Sequence, residues 1–300
     1  MNAYFEKLMP ALRALRVYQW PKNLFVFPTL VFARQMHDVS LVLRSLAAFV
    51  VFCAASSATY IFNDMVDVDN DRAHPEKCRR PLASGALSMN AAAGMTLVLG
   101  AGALISAYVI NVGFFGVVAF YMVMTGLYTI ALKHIVIIDV MIVAAGFVVR
   151  AMGGAVALQV EFSNWLMVCT LFLALFMALS KRRHEVASLR GDTAGNHRAV
   201  LQFYSLDYLD QLIVVVMAGT VITYTIYTCS PEVVERLGTD KLYLTLPFVI
   251  YGLFRYLHLV HFDEKGGDPS QTLLQDWPLC ITALLYGLVC VGIIYGSRML

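Results

Sequence analysis

Apolar residues in this chain do not alternate with polar ones. They gather into unbroken runs, each closed by a polar stretch: 22–37, 45–62, 89–110, 113–132, 137–157, 164–180, 211–228, 242–261 and 277–296. About 20 apolar residues suffice for one helical crossing of a bilayer. In hydrocarbon only helices and closed barrels satisfy the backbone. The pattern therefore predicts an all-α, polytopic membrane protein with about nine transmembrane helices, one domain over residues 1–300. Run 1 is the shortest between charges, bracketed by Lys22 and Arg34 and interrupted by Pro28. Either its helix begins before Lys22 or the chain dips into the membrane there; in both cases Lys22 is drawn below the membrane surface.

Composition agrees. The chain is 59% apolar and 14% charged, with mean hydropathy +0.70, where soluble domains run about 45–50% and 25%. Its 22 Lys+Arg against 20 Asp+Glu leave a net charge of only +2, which excludes a basic nucleic-acid binder. Cys53, Cys169, Cys280 and Cys290 fall in apolar runs, Cys229 near the end of one and Cys78 in a polar loop; no CxxC pair exists. They read as small buried side chains, not as a zinc or redox site. Residues 1–10 contain Glu6 and Lys7 and no apolar signal region, so the first span is expected to direct insertion.

Charge sorts the connections. The segments before span 1 and after spans 2, 4, 6 and 8 hold 16 Lys and Arg residues, and the opposite side holds 5. Such an excess marks the cytoplasmic side. The expected location is the inner (cytoplasmic) membrane, with the N-terminus inside. The long polar stretches 63–88, 181–210 and 263–276 share that face, so the active site is expected to be cytoplasmic.

The first of these stretches carries the chemistry. Asp64, Asp67 and Asp71 are spaced three and four apart, and a helix continuing past span 2 would set them on one face. A divalent cation relieves the repulsion among them; oxygen-only ligands select a hard ion, and Mg²⁺ commonly bridges one or two carboxylates to phosphate oxygens. A calcium loop starting at Asp67 fails, since Arg72 falls at its glycine position and Cys78 at its terminal glutamate. Lys77, Arg79 and Arg80 follow at once, and carboxylates for Mg²⁺ beside cations for phosphate suit a diphosphate.

Span 5 adds Asp139 and Arg150, eleven residues apart and so on nearly the same helical face at about 100° per residue. An intramembrane arginine is a functional candidate by default; the plainer reading is an interior salt bridge. Span 6 ends in Ser180-Lys181-Arg182-Arg183-His184-Glu185, a sequence that an ordinary positive-inside flank would also show. The inward cations Lys22, Lys77, Arg80, Lys133, Arg150 and Lys181 exceed the needs of one Mg²⁺-bound diphosphate, which points to ligands with several phosphates.

Tyr60-x-x-Asn63-Asp64-x-x-Asp67-x-x-x-Asp71-Arg72 resembles the first aspartate motif of the UbiA-type intramembrane prenyltransferase superfamily. The extension through His74-Pro75-x-Lys77-x-x-Arg80-Pro81-Leu82-x-Ser84-Gly85 is similar to the decaprenyl-phosphate phosphoribosyltransferase branch. So are Arg16-x-x-Gln19-Trp20-x-Lys22-Asn23, Leu132-Lys133-His134 and Gly266-Gly267-Asp268-Pro269. This resemblance implies nine helices around a cytoplasm-facing cavity. Ordinary members carry a second aspartate motif after helix 6; here the basic run 181–185 stands there with one carboxylate, as a polyprenyl monophosphate acceptor would require.

The implied reaction is Mg²⁺-dependent transfer of 5-phosphoribose from 5-phosphoribosyl diphosphate (PRPP) to a polyprenyl (decaprenyl) phosphate. By the same resemblance Asn63 and Asp67, helped by Asp64 or Asp71, hold Mg²⁺. Lys22, Tyr60, Lys77 and Arg80 bind PRPP; Lys133, His134, Arg150 and Lys181 bind the lipid phosphate. Asn63, Asp67, Lys77 and Arg150 are the expected catalytic set. Membrane lipid is the surroundings, and a homo-oligomer is compatible with the reading. The alternatives are a UbiA-type enzyme moving a prenyl group to an aromatic or other apolar acceptor, which the missing second motif disfavours, and a transporter, for which no internal repeat is visible.

Overall fold

The computed structural model describes residues 9–161, 163–189, 199–262, 272 and 275–296. Eight helices in it are long and apolar enough to cross a membrane. We label them α1 (Val39–Val66), α2 (Met89–Ile110), α3 (Val112–Ile130), α4 (Ile138–Leu158), α5 (Asn164–Leu189), α6 (Leu206–Cys229), α7 (Leu246–Phe262) and α8 (Trp277–Gly296). Short polar side chains start several of them. Asp38 Oδ1 accepts from the amides of Ser40 and Leu41, Ser88 Oγ from Ala91 and Ser205 Oγ from Tyr208, satisfying amides a helix start leaves open. Asn111 alone separates α2 from α3; it caps Phe114 and donates to Val156 O of α4.

The first apolar run is not one α-helix. Val17–Val26 is a 3₁₀ helix containing Pro21, followed by a short α-helix Pro28–Phe32. Each proline lacks an N–H to give to a continuous α-helical ladder; Phe27, before Pro28, itself keeps helical geometry (φ −79°, ψ −27°). The segment nevertheless traverses the bundle antiparallel to α1. Trp20 Nε1 donates to Ser57 Oγ, Asn23 Nδ2 to Ser56 Oγ, and the Phe27 ring lies 5.6 Å from that of Phe49. Arg16 at one end reaches Asp64, and Arg34 at the other donates to Leu237 O. It makes a ninth, broken crossing that starts before Lys22.

This irregular backbone is tolerated because it is enclosed by protein. A Cβ on Gly154 of α4 would lie 2.2 Å from Val26 O, and one on Gly153 would lie 2.5 Å from the Phe52 ring. Only glycine permits that approach. Ala48, Ala55, Ala103, Ala107 and Ala157 line the same core; small residues let backbones pack closely where lipid offers no hydrophobic drive. Outward-facing Leu97, Val98, Val109 and Leu288 are 68–78% exposed, the face hydrocarbon would cover.

Two expectations are corrected at helix ends. α1 stops at Val66, Asp67 leaves helical geometry (φ −95°, ψ 9°), and Val68–Ala73 forms a separate short helix; the three aspartates do not share one environment. α5 runs to Leu189, so Lys181–Glu185 is helix wall, not a flanking loop.

Candidate active site

At the end of the bundle marked by Asp64, the first segment, α1, α3, α4 and α5 enclose a cavity of about 240 Å³. Six cations line it: Arg16, Lys22, Arg80, Arg150, Lys181 and Arg182; among the described residues no Asp or Glu does. Gln19, Tyr60, Asn63, Tyr121 and Tyr128 add polar groups, and Val140, Ile142, Val143, Phe147 and Met177 form an apolar wall on α4 and α5. Such a lining attracts polyanions on its cationic side and is apolar on the other.

The aspartate-rich motif meets this cavity in two parts. Asn63 lines it; its Nδ2 donates to Asp67 Oδ2 and its Oδ1 accepts from Thr129. Asp67 Oδ1 also holds Lys133 Nζ at 2.5 Å. Asp64 and Asp71 are buried and turned to arginine: Arg80 Nη1 reaches Asp64 Oδ1 at 3.1 Å and Asp71 Oδ2 at 2.6 Å, and Arg16 also pairs with Asp64. Asn63 and Asp67 are thus side-chain neighbours one helical turn apart, in contact through the Asn63 amide nitrogen. That fits Mg²⁺, which takes one or two protein ligands and completes its shell with water and phosphate. Among the described residues no three His, Cys, Asp or Glu side chains converge as a self-sufficient metal cage.

Arg150 is 5% exposed inside α4. Its Nε donates to Asn23 Oδ1 (2.7 Å), Nη1 to Gly146 O (2.8 Å) and Nη2 to Tyr121 Oη (2.7 Å). Its guanidinium lies 4.8 Å from the Tyr121 ring centroid. All three acceptors are neutral, so among the described residues this cavity-lining charge has no ion-pair partner. Asp139, expected on the same face, is not its partner: Asp139 Oδ2 accepts from Arg182 Nε (2.7 Å) and Oδ1 from Tyr204 Oη (2.7 Å). Arg182 also pairs with Glu185 and donates to Tyr128 Oη.

Tyr204 Oη in turn accepts from Ile137 N, whose φ of +70° is strained for a β-branched residue. Burial, then the Asp139 carboxylate, push the Tyr204 hydroxyl well above the ordinary tyrosine range.

The cavity brings together Lys22, Tyr60, Asn63, Arg80, Arg150 and Lys181 of the residues picked from sequence. Lys77, on the 3₁₀ turn Lys77–Arg79, and exposed His134 do not line it. Lys133 is buried against Asp67. The Gly266–Pro269 loop lies outside the described residues. Sequence reading did not single out Arg16, Arg182, Gln19 and Tyr121 as site residues; their only signals were the surplus of cations and the Arg16-x-x-Gln19 spacing.

Residues 24–277 match the UbiA prenyltransferase family. The chain belongs to that family. A decaprenyl-phosphate phosphoribosyltransferase from Corynebacterium glutamicum is 32% identical over 292 residues, 95% of this chain and 86% of that one. Its namesake from Mycolicibacterium smegmatis is 30% identical over 284 residues, covering 92% and 89%. The UbiA homologue from Archaeoglobus fulgidus bound to GPP and Mg²⁺ superposes with TM-score 0.71 over 95% of this chain and 99% of that chain, at 19% identity; that likeness is one of fold. This UbiA-family member is a multi-pass membrane transferase.

Proposed function

We propose that this UbiA-family transferase moves 5-phosphoribose from PRPP to a polyprenyl (decaprenyl) phosphate, releasing diphosphate. The observation that carries the reading is a lining of six cations and, among the described residues, no carboxylate, with Arg16, Arg80 and Arg182 held by carboxylates behind the wall. Lys181 and Arg182 stand where ordinary members resemble one another in a second aspartate motif. A site for one diphosphate and an uncharged acceptor needs fewer cations; a donor and an acceptor that both carry phosphate need them. The phosphoribosyltransferase names of the two bacterial relatives support it.

In this reaction the bond from the anomeric carbon to the diphosphate oxygen breaks, its electrons leaving with diphosphate, and an acceptor phosphate oxygen bonds to that carbon. The acceptor is already an anion, so no general base is required. Mg²⁺, held by Asn63 and Asp67, would supply Lewis-acid stabilisation of the leaving group. Lys22, Tyr60 and Arg80 bind the donor's phosphates, with Lys77 on the turn just before Arg80. Arg150 and Lys181 position the lipid phosphate, with Lys133 close to the metal ligands and His134 outside the cavity wall. Fixed cations of this kind act without reorganising as charge develops. The apolar wall of Val143, Phe147 and Met177 takes the proximal part of the lipid chain, and the cavity opens to the cytoplasm, the side with the excess of Lys and Arg.

The test is purified protein with radiolabelled PRPP, decaprenyl phosphate and Mg²⁺, followed by extraction. Label in the organic phase, lost with EDTA, is expected. No label, together with alkylation of an aromatic acceptor by geranyl diphosphate, would overturn the assignment.

A further inference from the structure

We infer that the aspartate-rich motif divides its work: Asn63 and Asp67 serve the metal, whereas Asp64 and Asp71 are positioning residues that hold Arg16 and Arg80 in the cavity wall. The inference deepens the proposed function and rests on its Mg²⁺-bound diphosphate donor.

Helical geometry separates the two pairs. On α1, Asn63 and Asp64 leave the helix about 100° apart, and the separate helix Val68–Ala73 then brings Asp71 to the same Arg80 that Asp64 meets. The side chains follow. Asn63 faces the cavity and bonds to Asp67, while Asp64 and Asp71 are 2% and 4% exposed and shielded by guanidinium groups. One Arg80 nitrogen bridges both carboxylates, at 3.1 and 2.6 Å, which fixes the loop after Val68–Ala73 over the cavity.

Arg16 gives the second observation. Its backbone is left-handed (φ 51°, ψ 49°), a costly conformation for a non-glycine residue that persists only when its surroundings enforce it. Ser57 Oγ donates to Leu15 O beside it, Asp64 takes its side chain, and its guanidinium stacks 5.2 Å from the Tyr60 ring centroid. Both arginines are cavity-lining groups with buried anionic anchors. Asp64, spent on two guanidinium groups, and Asp71, buried against one, are poor ligands for a hydrated divalent ion.

Mn²⁺ binding by electron paramagnetic resonance, without donor, separates the roles. Asp67→Asn should weaken it by at least about tenfold, the least that losing even a partner of a ligand costs; Asp64→Asn and Asp71→Asn, which touch neither ligand, should leave it within about twofold. The second measurement is a double-mutant cycle on the KM for the Mg²⁺-bound donor. Asp71→Asn and Arg80→Ala should each raise KM by about tenfold, and the double variant no further, because Asp71 acts through Arg80. Equal loss of Mn²⁺ binding in Asp71→Asn and Asp67→Asn, or additive KM effects, would overturn the division. Should Asp64→Asn fail to fold, the Asp71–Arg80 cycle decides. The Mn²⁺ measurement contains no donor, so it stands if PRPP proves to be the wrong one; the cycle is then run with geranyl diphosphate.

Discussion

Lys133 Nζ lies 2.5 Å from Asp67 Oδ1, and both side chains are largely closed to solvent. An ammonium therefore occupies an oxygen that the proposed function gives to Mg²⁺. Metal and lysine compete for it. Lys133→Gln should tighten Mn²⁺ binding several-fold while lowering turnover, since the displaced ammonium would otherwise be available to a phosphate. Titration and single-turnover assays on this variant check both directions; weaker Mn²⁺ binding would contradict the competition.

Arg150 makes three directed bonds from a planar fork, a geometry lysine cannot reproduce. Arg150→Lys should fold and bind PRPP nearly as before, yet lose at least about tenfold in turnover with saturating decaprenyl phosphate, a barrier increase of about 1.4 kcal/mol. Calorimetry for PRPP and a transfer assay form the pair of measurements. Unchanged turnover would shift the acceptor site towards Lys181.

Gly154→Ala tests the packing of the broken first segment. Alanine gains up to about 1 kcal/mol of helix propensity, but its Cβ would stand 2.2 Å from a backbone oxygen, Val26 O. Overpacking against backbone costs about 1–3 kcal/mol, so the clash should win. Thermal unfolding in detergent should show a lower midpoint, with activity falling as Lys22 and Asn23 shift.

Asp139 and Tyr204 should differ in cost. Asp139 is fully buried and takes Arg182; breaking such a pair costs about 3–5 kcal/mol. Asp139→Leu should therefore destabilise far more than Tyr204→Phe, which removes hydrogen bonds worth about 0.5–1.5 kcal/mol each. Unfolding midpoints of the two variants rank them.

Much of the fold is legible along the chain. The runs 89–110 and 277–296 coincide with Met89–Ile110 and Trp277–Gly296, because a helix in lipid must be apolar over its whole length. Run 22–37 was the exception: Pro28 and the short distance between Lys22 and Arg34 marked it as irregular, without giving its 3₁₀ form. The cavity residues were found where motif or intramembrane position singled them out, as with Asn63 and Arg150. Arg182 was not, because a basic residue after a span reads the same whether it flanks the membrane or faces a cavity.

The membrane class, the charged end of the bundle and the family are readable along the chain, since hydropathy, loop charge and motif spacing are local properties. Which charge meets which is set by packing in three dimensions. Asp139 and Arg150 share a helical face, yet Asp139 pairs with Arg182 from α5 and Arg150 with Asn23 and Tyr121. Periodicity sets the direction in which a side chain leaves its own helix. What it meets depends on the neighbouring helix, its rotation and its depth, and those follow from packing between segments far apart in the chain.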